Sequence, residues 1–317
     1  MIKKECFTAE WIEQVSSELH YNDKNLIEKV IRALSLLEML VKAGCPLVFK
    51  GGTALMLILG KSAHRLSIDI DVICPPGTNI EDYLKSFADF GFINLELVER
   101  KQRDDADIPK SHSKFFYQIA YRNDTDAQSY ILLDVLYEDI HYFRTQQIAI
   151  DCPFIRLEGK PLMVTVPSAE DILGDKLTAF APNTTGIPYY KNGRSCSMEI
   201  AKQLYDVGRL FENVSDLQIT KEAFRKIAVV ELSYRSFGTD IGQVFNDIRQ
   251  TALCISTRGK AGEGDFDLIQ DGIIRVKSFM YKQRYLIDHA IIDAARAAYL
   301  ATLIEKGINE IESYSNN

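Results

Sequence analysis

The chain has 317 residues, 46% of them hydrophobic and 26% charged, so it carries enough apolar material for a substantial core and is neither disordered nor fibrous in composition. Its net charge of −7, from 37 basic and 44 acidic residues, argues against a general nucleic-acid coat or a basic membrane-surface protein and leaves a nucleic-acid partner only a local grip. Six cysteines (Cys6, Cys45, Cys74, Cys152, Cys196 and Cys254) form no C-x-x-C pair, which sets aside a zinc site or a disulfide framework and reads as reduced thiols. MIKKECFTAEW lacks the apolar run of a signal peptide, and no segment reaches the roughly 18 uninterrupted apolar residues of a membrane span, so no membrane association is expected and the expected compartment is cytoplasmic.

In chain order, residues 8 to 44 are patterned as helix, with Leu26, Val30, Leu34, Leu37 and Val41 on one face and Asn22 or Asp23 as N-cap. After Gly44, PLVF reads as a short buried strand, KGG as a turn and TALMLILG as a helix. RLSIDIDV, residues 65 to 72, then alternates strictly, with Arg65, Ser67, Asp69 and Asp71 on one face and Leu66, Ile68, Ile70 and Val72 on the other; it is predicted as a strand. Weaker strand signals follow at 92 to 99 (FINLELVE), 114 to 121 (KFFYQIAY) and 130 to 137 (YILLDVLY), the last two joined by RNDTDAQS, a polar stretch suited to a hairpin. These elements predict a mixed sheet.

From Ser168 the texture becomes helical. SAED supplies an S-x-x-D cap before ILGDKLTAF, and Pro182 lies just beyond that run. The polar loop PNTTGIPYYKNGRS leads into a second helix at about 197 to 212, with further helical patterns near 220 to 235, 240 to 254, 265 to 281 and 284 to 307 and no internal repeat. The expected organisation is an α+β chain with a boundary near 167: a catalytic domain over 1–167 and a helical domain over 168–317.

The chemistry concentrates at two places. Asp69 and Asp71 project from one strand face roughly 6 to 7 Å apart. Carboxylates so close repel each other and are best tolerated around a divalent cation, for which hard oxygen ligands suit Mg²⁺ or Mn²⁺; a half-exposed strand face that merely meets water is the plain alternative. Gly51 and Gly52 close a strand and open a helix, leaving unpaired backbone N–H groups and the positive end of a helix dipole where a phosphate could sit, with the Thr53 hydroxyl beside them. A tight turn needing positive φ would explain the glycines equally well when they are taken alone. Together the two features suit phosphoryl or nucleotidyl transfer, in which the protein positions a triphosphate and metal ions neutralise developing charge. Asp134, flanked by apolar neighbours in ILLDVLY, is the candidate third metal-binding acid; a structural salt bridge is its alternative.

KGGTALMLILG followed by HRLSIDIDV resembles the AbiEii/AbiGii-type abortive-infection toxins, a branch of the nucleotidyltransferase superfamily with the polymerase-β-like fold. The resemblance continues in AEDILGDKLTAFA, TTGIPYYKNGR and EIAKQLYDVGRLF. It implies that Gly51, Gly52 and Thr53 hold nucleotide phosphates and that Asp69 and Asp71 bind metal. It also implies that Lys176 in GDKLTAF and Asp206 in KQLYD take part in activity, with Lys202 as a secondary candidate. Arg65 and Ser67 match the R-x-S that precedes the acids in that family, which implies that they orient the acids or touch phosphate. From spacing alone, Asp206 and Lys202 form an ordinary i,i+4 pair.

The expectation is therefore a Mg²⁺- or Mn²⁺-dependent nucleotidyltransferase whose donor is a nucleoside triphosphate and whose helical domain closes over the nucleotide. The resemblance implies RNA, the 3′ end of tRNA included, as a possible acceptor and a cognate antitoxin protein as partner. Lys191 and Arg194 could supply the local basic grip, or simply belong to a surface loop. Nucleotide transfer to a protein or a small molecule, and a nucleotide- or partner-binding module without turnover, remain the alternatives. A glycosyltransferase explains the D-x-D acids but neither the glycine turn nor the later motifs.

Overall fold

The helical stretch at the start of the chain folds as two helices, and the apolar stripe from Leu26 to Val41 lies wholly in the second, which Asp23 caps as expected. The structure, a computed structural model, describes residues 1–98, 110–122, 127–214, 216–235 and 240–311. Helix α1 (Ala9–Leu19) is capped by Thr8, whose hydroxyl accepts the Trp11 N–H, and α2 (Lys24–Lys42) is capped by Asp23 through the Leu26 N–H. Helix α2 is buried on nearly every side, and its interior charges serve backbone groups that no regular element satisfies. Glu28 accepts the Ala120 N–H at 3.1 Å, Ser35 donates to the Phe90 carbonyl, Arg32 donates to the Gly91 carbonyl, and Glu38 accepts the Ile2 N–H.

Contacts divide the chain into two units. The first comprises Met1–Ile140, Thr145–Pro167 and Ser278–Gln283. In it, β1 (Val48–Lys50) passes directly into α3 (Gly51–Leu59), followed by β2 (Ile70–Cys74), β3 (Asn94–Val98), β4 (Lys110–Gln118), β5 (Gln128–Tyr137), β6 (Thr145–Ala149) and β7 (Met163–Pro167). The sheet order is β1-β2-β5-β4-β3, with β2 and β5 parallel and the other neighbours antiparallel, so the sheet is mixed as expected. One sheet face is apolar, with Phe49, Ile70, Val72, Leu133, Val135, Phe115 and Tyr117 all buried in the core that includes α2. The opposite face carries Lys50, Asp71, Asp134 and His112, because alternate strand residues face opposite ways. β6 and β7 form a separate antiparallel pair that no strong alternation marked in the sequence.

One sequence expectation needs correction. The strand read at 65 to 72 begins only at Ile70 and runs on to Cys74. β1 is three residues long and turns into α3 at Gly51, so it offers no partner to residues before Asp71. The R-x-S segment is held otherwise: Arg65 makes an isolated bridge to Met280, and the Leu66 N–H donates to the Phe279 carbonyl. The expected hairpin between the two later strands is the β4–β5 pair; residue 99 of the third predicted strand and residues 123–126 of the hairpin connection lie outside the described residues.

The second unit comprises His141–Arg144, Ser168–Lys277 and Arg284–Asn317. Helices α4 (Ala169–Ala179), α5 (Ser197–Phe211), α6 (Leu217–Ser233), α7 (Ile241–Ser256), α8 (Phe266–Val276) and α9 (Ile287–Lys306) make up its body, with a small hairpin of β8 (Tyr190–Lys191) and β9 (Arg194–Ser195). Ser168 caps α4 as its S-x-x-D pattern indicates, and the buried Asp171 carboxylate accepts the N–H groups of Phe143 and Arg144 at 2.7 and 2.9 Å, which fastens residues 141–144 to this unit. Gly174 lets α4 pack on α6 at backbone contact: a Cβ there would lie 2.7 Å from the Phe224 nitrogen. The predicted loop after Pro182 is ordered by Asp247 of α7, which accepts from the Asn183 backbone and side-chain amides and the Thr184 hydroxyl. Among the described residues no helix is long and apolar enough to cross a membrane.

Arg32 and Glu28 form a nearly fully buried ion pair at 3.3 Å, and removing one partner of such a pair costs about 3 kcal/mol or more. Burial holds the Glu28 carboxyl above its ordinary range while Arg32 opposes that rise. A carboxyl raised in the folded state contributes stability at low pH that is lost as pH rises through the folded value. Arg32→Leu is therefore expected to lower the urea midpoint of unfolding, and to lower it more at pH 8 than at pH 5. A larger loss at pH 5 would contradict the assignment.

Candidate active site

The glycine turn is built by two separate demands on the same backbone. Gly51 has φ +78°, in the left-handed region, and a Cβ there would lie 2.1 Å from Asp71 Oδ2. Conformation and space both call for glycine, and the missing side chain allows the Asp71 carboxylate to lie against the start of α3. Gly52 plays the matching part toward the R-x-S segment: a Cβ would lie 2.7 Å from Ser67 Oγ and 3.0 Å from a terminal nitrogen of Arg65. Lys50, in extended backbone before α3, makes no side-chain cap, so the first N–H groups of the helix keep the character of an anion site. Thr53 is fully buried, and its hydroxyl donates to the Asp69 carbonyl at 2.7 Å. It pins the backbone of the first acid.

Seven expected site residues, Gly51, Gly52, Thr53, Arg65, Ser67, Asp71 and, through its backbone, Asp69, thus meet at one helix start. Asp69 lies just ahead of β2, and Asp71 is the second residue of that strand. Asp134 is the direct register partner of Asp71 across the parallel β2–β5 pair. The register continues in both directions, aligning Lys50 with Asp71 on one side and His112 with Asp134 on the other. One row across four strands therefore reads Lys50, Asp71, Asp134, His112, on the face away from α2. The Asp134 carboxylate accepts from His112 Nδ1 at 2.6 Å. Sequence reasoning missed His112 because the strand signal was placed from residue 114 onward; the same alternation extended two residues back would have found it.

In the second unit, Lys176 of α4 and Asp206 of α5 form a buried ion pair at 2.9 Å, and Lys176 also donates to the Gln203 side chain at 3.0 Å. The i,i+4 spacing of Lys202 and Asp206 gave no sign of this contact, because it joins two helices. Lys191 and Arg194 are exposed and face each other in register across the β8–β9 hairpin, whose turn residues Asn192 and Gly193 both have positive φ.

Among the described residues no group of three or more His, Cys, Asp and Glu side chains is arranged to hold a metal ion. A magnesium ion does not require one: it binds through one or two protein carboxylates and completes its shell with water and substrate phosphate oxygens. Asp69 and Asp71 offer that donor set beside a helix start that suits phosphate, and the space left by the absent Gly51 side chain is where the Asp71 oxygen lies. The residues present fit a divalent cation shared with a bound triphosphate.

Comparison with known proteins places the chain in a family. Residues 34–289 match the family described as nucleotidyl transferase AbiEii toxin, type IV toxin–antitoxin system. No curated protein matches the chain. Among solved structures, MenT4, a nucleotidyltransferase toxin from Mycobacterium tuberculosis, aligns with a TM-score of 0.50 at 14% identity over 93% of this chain and 89% of that one, a likeness of fold. Two Helicobacter pylori structures, JHP933 and a putative nucleotidyltransferase, align at 16% identity with TM-scores of 0.42, covering 97% and 90% of this chain and 95% of each of theirs. With the family match spanning most of the sequence, the protein belongs to the AbiEii nucleotidyl transferase toxins of type IV toxin–antitoxin systems.

Proposed function

We propose that this toxin uses a divalent cation, Mg²⁺ or Mn²⁺, to transfer a nucleotide from a nucleoside triphosphate to a hydroxyl acceptor, with release of pyrophosphate and with the 3′ end of tRNA as acceptor. The observation that carries the reading is the convergence of Gly51 on Asp71 and of Gly52 on Ser67 and Arg65 at an uncapped helix start. That convergence supports a phosphate site with a carboxylate beside it.

Asp69 and Asp71 hold the cation, which when bound neutralises charge on the triphosphate and polarises the α-phosphorus. The N–H groups opening α3 receive phosphate oxygens, and Arg65 and Ser67, packed on Gly52, fix that end of the nucleotide. Thr53 holds the Asp69 backbone in place before the ligand arrives. We assign Lys176, whose ammonium Asp206 and Gln203 hold, a part in the reaction, as the family resemblance implies. Lys191 and Arg194 give an otherwise acidic protein a local contact for an RNA backbone. A cognate antitoxin protein is the partner that the type IV family implies.

Asp69→Ala and Asp71→Ala are each expected to abolish transfer and to remove Mn²⁺ binding measured by electron paramagnetic resonance, while leaving the unfolding midpoint nearly unchanged. Incubation with total tRNA and each α-phosphate-labelled nucleoside triphosphate reads the transfer. Label on protein rather than RNA would move the acceptor class and keep the donor site.

Gly51→Ala is expected to reduce transfer by about a hundredfold or more, because its Cβ would displace the Asp71 carboxylate by ångströms, a misplacement of the scale that costs about that much. Near-native turnover in Gly51→Ala would remove the turn from the site. Lys176→Met, of similar volume, is expected to lower kcat with little change in KM for the triphosphate; unchanged kinetics would exclude the lysine.

A further inference from the structure

The row of side chains on the open sheet face ends in a pair that the donor site does not use. His112 and Asp134 are direct register partners on β4 and β5, joined through Nδ1 at 2.6 Å, and both stand partly open, at 35% and 38% side-chain exposure. Asp134 in turn is the register partner of Asp71. Adjacent strands are about 4.8 Å apart, so the imidazole begins about two strand spacings from the cation-binding acid. Its hydrogen bond to Asp134 draws the ring back toward that acid.

We propose that His112 is the general base of the reaction and that Asp134 is its positioning residue rather than a third ligand of the cation. This rests on the nucleotidyl-transfer reading above. The carboxylate can only accept, so a neutral imidazole must place its proton on Nδ1, which leaves the Nε2 lone pair as the acceptor. An acidic side chain that orients a histidine through one nitrogen and frees the other is the usual device for holding an imidazole in one tautomer. The exposure of the pair leaves room for a macromolecular hydroxyl to approach from solvent, while Asp69, Asp71 and the helix start receive the donor.

The step balances without any further reagent. The acceptor O–H bond breaks and its proton passes to Nε2. The oxygen lone pair forms the bond to the α-phosphorus. The bond from the α-phosphorus to the bridging oxygen breaks, and its electron pair leaves with pyrophosphate; the imidazolium then returns its proton to water. A positioned base of this kind contributes about a hundredfold or more to rate.

The test compares His112→Ala, His112→Asn and Asp134→Asn with the wild type in the tRNA-labelling reaction, with Mn²⁺ binding and KM for the triphosphate measured alongside. His112→Ala is expected to lose about a hundredfold in kcat with Mn²⁺ affinity and KM unchanged, and added imidazole should restore part of the rate. His112→Asn, which keeps an amide donor toward Asp134 but has no basic nitrogen, should remain as slow. Asp134→Asn should be slow and should still bind Mn²⁺.

Four outcomes would overturn the proposal. They are native turnover in His112→Ala, recovery in His112→Asn, absence of imidazole rescue, or loss of Mn²⁺ binding in Asp134→Asn, which would make Asp134 a cation ligand. A wild type that binds triphosphate but labels no acceptor would overturn the transferase reading itself and this proposal with it.

Discussion

The structure turns on an absent side chain. With hydrogen at Gly51, the carboxylate of Asp71 can lie against the first turn of α3; with any Cβ there, an oxygen would have to move by more than an ångström. The left-handed φ of the same residue makes the sharp passage from β1 into α3, so one glycine both ends the strand and admits the acid. The surrounding chain is fitted to that contact. β1 stops after three residues, β2 begins late, and the R-x-S segment is free to fold its polar side chains onto Gly52 rather than into a ladder.

Both units hold buried ion pairs, Arg32 with Glu28 in the first, but among the described residues only the first sets acidic groups on a partly open sheet face. On the sheet of the first, acidic groups sit side by side on a partly open face, where a cation and a polyanionic ligand can compensate them. In the second, Lys176 and Asp206 compensate each other in a buried pair, and Asp293 is likewise enclosed between Arg209 and Arg296 at 3.2 and 3.1 Å. Burial pushes the Asp293 carboxyl up while the two guanidinium groups pull it down. Buried pairs of this kind are weak sources of net stability, since desolvation offsets most of their attraction.

Buried polar groups elsewhere act as fasteners for irregular backbone. Asp171 holds residues 141–144 to the helical unit, Asp247 orders the segment after Pro182, and Glu28 and Glu38 of α2 close stray N–H groups around the sheet. These carboxylates look like ordinary surface charge in the sequence. Their partners lie 27 to 92 residues away, so no local pattern announces them.

By itself the sequence determined the kinds and order of the main elements: apolar spacing marks α2, alternation marks β4 and β5, S-x-x-D marks the start of α4, and G-G-T and D-x-D mark the segments that converge at the start of α3. Such signals are legible because helix and strand periods, caps and glycine turns are short-range physics. Tertiary structure decided what depends on register and on contact between distant segments. It shortened the strand read at 65 to 72, whose first residues are held by Met280 and Phe279 instead of by a neighbouring strand. It joined Lys176 to Asp206 across two helices, and it aligned Asp71, Asp134 and His112 in one row. Cross-strand register follows from how whole strands pair, so the histidine beside Asp134 became visible only in the folded sheet.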